Sequence, residues 1–250
     1  MLTISLFSGG VASFLATLRY LDKHPGDDVV LLFTDTMTED ADLYRFLDDA
    51  VAYIGGRARL VRLADGRDIW QVFRDERMLG NTRMDPCSRI LKRDLSSKWI
   101  AENAEPDTPL IFGYDWTELH RHERSAMRWA PRPVMSPLTE PPYISKAEMV
   151  QELGWLGITP PRLYRLGFAH NNCGGGCVKA GISHFVHLLR TLPEVYADWE
   201  RNEEAMRGQL GDVSILRDRA GDETKPLTLA ALRERVEAGE SLPFWDIGGC

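Results

Sequence analysis

The residues able to do chemistry in this 250-residue chain are four cysteines, a serine-flanked pair of glycines and a few cations. Cys173 and Cys177 are separated by three glycines, which let the backbone fold until both sulfurs face one point. Thiolates so placed suit a zinc ion or an iron–sulfur cluster; free or redox-active thiols are the third reading. Cys87 offers a third ligand and the terminal Cys250 a fourth. His170, His184 or His187 could complete a zinc site, although each alone reads as a helix or loop residue without a ligand. Cys87 follows Pro86 at the expected first turn of a helix, a place that favours a thiolate. Lys92 and Arg93 lie about one turn further on. Basic residues on a helix are ordinarily solvated; these could instead hold a phosphate or sulfate.

The second constellation is Ser8-Gly9-Gly10-Val11-Ala12-Ser13. An apolar run, Thr3 to Phe7, feeds into the glycines, and an apolar stripe at helical spacing (Phe14, Leu18, Leu21) follows them. That pattern reads as strand, tight turn and helix. Glycines let backbone N–H groups approach an anion, and the helix N-terminus adds unpaired donors and partial positive charge. Ser8 and Ser13 add hydroxyls, so the turn can cradle phosphate or pyrophosphate. The bland alternative is an ordinary βα turn with a serine cap. The loop is neither Gly-x-x-x-x-Gly-Lys-Ser/Thr nor Gly-x-Gly-x-x-Gly.

These residues need a frame. Val29 to Phe33 is a continuous apolar run, as in a buried parallel strand, ending at Thr34-Asp35-Thr36. A helix follows with Leu43, Phe46, Leu47, Ala50, Val51 and Ile54 on one face, stopped by Gly55-Gly56. Asp35 at the strand end can line a ligand crevice, and Asp35 or Thr36 can cap this helix with Glu39 completing a capping box; the two readings are compatible. Further strands are expected at Ala58 to Leu63, at Leu110 to a terminal Gly113, and at the edge from Val134 to Leu138. Between them, Pro86 to Trp99 keeps helical spacing. His120 and His122 would point to different helix faces and read as solvated. Ser145-Lys-Ala-Glu148 opens a helix through a capping box, and two more helices meet at Pro193. The last stretch shows little periodicity. The pattern is α/β: a mostly parallel, doubly wound sheet with a helical, cysteine-bearing C-terminal region, divided near Pro142 into residues 1–142 and 143–250.

A net charge of −7 argues against a protein that coats nucleic acid indiscriminately, while leaving room for a local basic patch. No apolar run is long enough for a bilayer, and no signal peptide is seen, so a cytoplasmic protein with no membrane partner is expected. In that setting the cysteines read as thiols or metal ligands rather than a disulfide framework.

The Ser-Gly-Gly-x-x-Ser turn resembles the pyrophosphate loop (PP-loop) of the N-type ATP pyrophosphatases, or adenine nucleotide alpha hydrolases, which have a Rossmann-like fold. Those enzymes commonly carry Asp before the last serine, where this chain has Ala12. Three further features look like the phosphoadenosine phosphosulfate (PAPS) reductase branch. They are the Asp35-Thr36 strand end, Cys87-x-x-x-x-Lys92, and Gly113 followed by Glu118 and Arg121. The resemblance implies that Ser8, Gly9, Gly10 and Ser13 hold phosphates and that Asp35, Thr36 and Gly113 line the nucleoside side. Lys92, Arg121 and Arg93 would neutralise charge. It further implies an enzyme that cleaves ATP, with Mg²⁺, between the α and β phosphates and so adenylates an acceptor, tRNA or another nucleic acid among the choices, for sulfur transfer. Some relatives bind a 4Fe–4S cluster through three or four cysteines. A second implied reading is a sulfonucleotide reductase, served by thioredoxin and acting through Cys250, although that tail lacks the reductases' Glu-Cys-Gly. A third is a nucleotide-binding regulator with structural metal.

Overall fold

The computed structural model describes residues 1–219 and 223–240. Five short strands pair in parallel in the order β3-β2-β1-β4-β5. They are β1 (Leu2–Leu6), β2 (Asp28–Asp35), β3 (Ala58–Ala64), β4 (Leu110–Ile111) and β5 (Val134–Met135). The apolar run of β2 is buried because both sheet faces are covered, and its residues divide between them with the strand period of two. Val29, Leu31 and Phe33 join Phe7, Phe14 and Phe46 in one core cluster. Val30 and Leu32 join Ile4, Leu110 and Ile100 in the other. The first cluster is roofed by α1 (Val11–Lys23), α2 (Ala41–Ile54) and α7 (Lys146–Trp155). On the second face, α5 (Leu95–Asn103) contributes Ile100 and Trp99, and α6 (Leu119–Trp129) contributes Trp129. The sheet is thus doubly wound, as the apolar runs predict.

Ile4 of β1 pairs with Val30 on one side and Leu110 on the other. The chain therefore leaves β1 in one direction, through β2 and β3, and returns on its opposite side with β4 and β5. Open α/β sheets bind ligands where the order reverses, outside the carboxyl ends of the strands. In this sheet that place lies between the ends of β1 and β4.

The chain forms two compact units. The first comprises Met1–Asp35, Ala41–Ala64 and Arg93–Gly167, and holds the whole sheet with α1, α2, α5, α6, α7 and the short α8 (Arg162–Arg165). The second comprises Thr36–Asp40, Asp65–Lys92 and the chain from Phe168 onward. It holds α3 (Ile69–Asp75), α4 (Pro86–Ser88), α9 (Ile182–Thr191), α10 (Pro193–Leu210), α11 (Leu229–Glu237) and an antiparallel pair, β6 (Leu216–Asp218) with β7 (Lys225–Leu227). The expected division near Pro142 falls inside the first unit. Indoles from α3 and α10 meet in the second, Trp70 and Trp199 standing 5.0 Å apart edge to face. The single helix expected from Pro86 to Trp99 is interrupted: Arg89–Asp94 winds as a π-helix between α4 and α5. Among the described residues no helix is long and apolar enough to cross a membrane.

Candidate functional site

The expected site residues fall into two sets, one in each unit. In the first unit the Ser-Gly-Gly turn joins β1 to α1. Gly9 has φ +73°, the left-handed region that glycine occupies without strain, and Leu43 leaves only 3.0 Å beside it. Gly10 is extended (φ −101°, ψ 161°) and caps α1 with no side-chain hydrogen bond to the helix end. The Ser13 hydroxyl fixes the turn from within. It accepts from the Ser8 N–H at 3.3 Å and the Ser8 hydroxyl at 3.2 Å, and donates to the Gly10 carbonyl at 2.8 Å. Ser8 itself is exposed while Ser13 is buried. The first turn of α1 thus presents backbone donors and the positive end of a 13-residue helix at the end of the central strand.

Gly113 completes this set. It follows β4, and a Cβ there would lie 2.6 Å from the Ser13 nitrogen and 2.7 Å from its Cα. No side chain fits, so the end of β4 and the first turn of α1 touch backbone to backbone at the reversal point of the sheet. The remaining first-unit residues are engaged differently. Asp35 is fully buried. Its carboxylate is paired with the Arg62 guanidinium, whose Nε lies at 3.0 Å, and accepts from the Tyr44 hydroxyl at 2.9 Å. Arg121 is paired with Glu118 and lies 4.8 Å over the Tyr114 ring. Arg93 is exposed.

The second unit gathers its set around a residue the sequence pattern assigned elsewhere. Thr36 and Glu39 have capping-box spacing, but α2 starts at Ala41, and the Glu39 side chain is only 2% exposed. One carboxylate oxygen accepts from the Thr36 hydroxyl at 2.9 Å and the Lys92 ammonium at 3.3 Å. The other accepts from the Cys173 N–H at 2.8 Å. Glu39 thereby joins the segment after β2, the π-helix after α4 and the glycine knuckle. Burial pulls the Lys92 pKa down, but the Glu39 carboxylate and nearby sulfurs more than offset it, so the ammonium is held above its ordinary range.

The knuckle needs its glycines. Gly174 and Gly175 have φ +63° and +94°, and a Cβ on Gly176 would lie 2.2 Å from the Trp199 indole. His184 on α9 lies 2.7 Å from the Gly175 carbonyl, so its Nε2–H donates there. Burial of this imidazole lowers its pKa. Cys173 hydrogen-bonds to Cys177, and that bond, burial and Glu39 raise its pKa well above the usual thiol value. Cys87 departs from the expected thiolate: burial, reinforced by Cys173, pushes it up to about 12. Its helix is a single turn, too short to offset desolvation.

None of Cys87, Cys173 and Cys177 is in a disulfide. Among the described residues no three His, Cys, Asp or Glu side chains are grouped so as to hold a metal ion. The described residues thus supply no complete ligand set for zinc or a cluster. Cys250 lies outside the described residues.

A scan against protein-family models finds no match, nor does a search of curated proteins. Among solved structures, the chain is similar to the crystal structure of phosphoadenylyl-sulfate (PAPS) reductase from Candida auris in its phosphate complex. The identity is 13%, with 67% of this chain and 78% of that chain covered, at a TM-score of 0.46.

Proposed function

We propose that the β1–α1 turn binds the phosphate chain of an adenine nucleotide, and that the protein is an enzyme of the ATP-pyrophosphatase type. The observation that carries this reading is the bare backbone contact of Gly113 with Ser13 where the sheet order reverses. Exclusion of side chains there leaves the donors of a helix N-terminus able to meet phosphate oxygens. Gly9, Gly10 and the α1 N–H groups receive the phosphates, and Ser8 adds an exposed hydroxyl. Ser13 holds the turn. Asp35, tied to Arg62 and Tyr44, shapes the wall of the site rather than offering an unpaired carboxylate. Arg121, in the same unit as the turn, supplies charge to leaving pyrophosphate from its existing ion pair with Glu118. The substrate is MgATP, cleaved between α and β phosphates, and the acceptor takes the adenylate.

Metal loading is a separate proposal: Cys87, Cys173 and Cys177, with Cys250 as a further ligand, would hold an iron–sulfur cluster or zinc. Counting iron, zinc and sulfide per chain in anaerobically prepared protein tests it, and a metal-free preparation sinks it. The nucleotide reading is tested by incubating the protein with MgATP and candidate acceptors, tRNA included, and separating the products. AMP, or an adenylated acceptor, with pyrophosphate is expected. Release of ADP and phosphate, or no nucleotide binding at all, would overturn the reading.

A further inference from the structure

α6 is an unusual helix for a doubly wound sheet: none of its residues is fully buried. His120, Arg124 and Arg128 are spaced four apart and so form one stripe, with successive side chains about 6 Å apart along the axis. All three are exposed. Arg124 spends one N–H on the His120 carbonyl at 3.3 Å, and Arg128 lies 5.9 Å over the Trp129 ring. Among the described residues no carboxylate forms an ion pair with either arginine. That is notable in a chain of net charge −7, where carboxylates outnumber cations. At the N-terminal end of the same helix two aromatic rings stand open to solvent. Trp116 is 48% and Tyr143 58% exposed, and their centroids are 6.0 Å apart.

We propose that this face of the first unit binds single-stranded nucleic acid. The strand would run along α6, with phosphates on Arg124 and Arg128 and bases stacked on Trp116 and Tyr143. Unpaired guanidiniums a turn apart match the regular charges of a flexible phosphate backbone. Exposed rings supply stacking surfaces that any base can use. An acidic protein would satisfy the arginines but would leave both rings without a planar partner. A rigid duplex would present its phosphates but keep its bases stacked inside. The inference is independent of the phosphate turn and goes beyond nucleotide hydrolysis.

The test is fluorescence anisotropy of the full chain with a labelled oligouridylate, across a salt series. Binding in the range of about 1–100 μM at low salt is expected. Arg124→Ala with Arg128→Ala should weaken it at least tenfold and flatten the slope of log K against log salt by about 1.4, the value for two single-strand phosphate contacts. The double lysine replacement should restore most of the slope. Trp116→Ala should weaken binding severalfold with the slope unchanged. All these side chains are exposed, and circular dichroism checks that the variants remain folded. Absence of binding by the wild type, equal binding by the double alanine variant, or equally effective competition by polyglutamate or by duplex RNA would each overturn the proposal.

Discussion

The two sets of candidate residues are built in opposite ways. The phosphate turn of the first unit is made of backbone: glycines clear the space, and the serines hold the turn by short-range hydrogen bonds. Its polar resource, the α1 N-terminus, has a glycine as N-cap and so no bond from a capping side chain of its own, while the Val11 N–H donates to the Tyr164 hydroxyl. The set in the second unit is made of side chains that satisfy one another. Glu39, Thr36, Lys92 and the Cys173 N–H close a network from three distant stretches of sequence. A backbone-built site can be changed without unfolding only where a Cβ fits. In a network, loss of one member leaves another buried and unpaired.

The largest effect should come from Gly113→Ala. Its Cβ would press on the backbone of α1 at 2.6 Å, which neither strand nor helix can easily yield. We expect a loss of about 2–4 kcal/mol and abolished nucleotide binding, read by denaturant unfolding and calorimetry. Wild-type stability would show that β4 and α1 are not held together as described. Gly9→Val should follow, since a β-branched residue at φ +73° adds strain of about 1–3 kcal/mol to its contact with Leu43.

The second comparison sets Lys92 against Arg121. Lys92→Ala leaves the Glu39 carboxylate buried without its cation and should cost about 1–3 kcal/mol. Arg121→Ala removes a partner from a pair that is 42% exposed on the arginine side, and should cost no more than about 1 kcal/mol. Equal losses would erase the distinction between a network member and a surface pair.

The first set could be read from spacing along the chain, and so could the cysteines and Lys92 of the second, but not the carboxylate that joins them. The apolar run of β2, the glycine turn and Gly113 announce themselves because strands and turns are local, and the parallel sheet then follows from alternation with helices. Glu39 did not, because Thr-x-x-Glu is a genuine capping signature. What diverted the carboxylate were partners 53 and 134 residues away. The same holds for β6, β7 and α11, whose short strands include Pro226 and little alternation. They are held by long-range bonds: Glu203 accepts the Ile215 and Leu229 N–H groups at 2.9 and 2.6 Å, and Tyr196 donates to the Leu229 carbonyl at 2.7 Å. Cys87 was placed correctly near a helix start, but burial, which spacing does not report, reverses its expected ionisation.

Smaller effects sharpen the contrast further. With its pKa near 12, Cys87 should resist iodoacetamide at pH 8, a condition in which an ordinary thiol of pKa about 8.5 is alkylated readily. Mass mapping of labelled peptides reads this, and rapid labelling of Cys87 in folded protein would contradict its buried environment. His184 should give the mildest signal. Its folded pKa is depressed, so the unfolded chain binds the proton more readily, and stability should fall as pH drops below about 6.5. His184→Asn should remove that portion of the pH dependence, seen in melting temperature between about pH 5 and 7.5. An unchanged profile would mean that the imidazole does not hold the knuckle as a neutral donor.

The central claim is that the β1–α1 turn receives nucleotide phosphates, and Gly10→Ala isolates it from folding. Gly10 has an extended backbone open to any residue, and an added Cβ would find Ser8 Oγ at 3.4 Å and Tyr164 Oη at 3.5 Å, ordinary contact distances. The variant should therefore melt within about 0.5 kcal/mol of the wild type, as substitutions away from strain and tight packing usually do. Calorimetric titration of both proteins with MgATP is the direct measurement. A folded Gly10→Ala protein that binds MgATP at least tenfold more weakly than the wild type is the predicted result. Equal affinity in the folded variant would contradict the account.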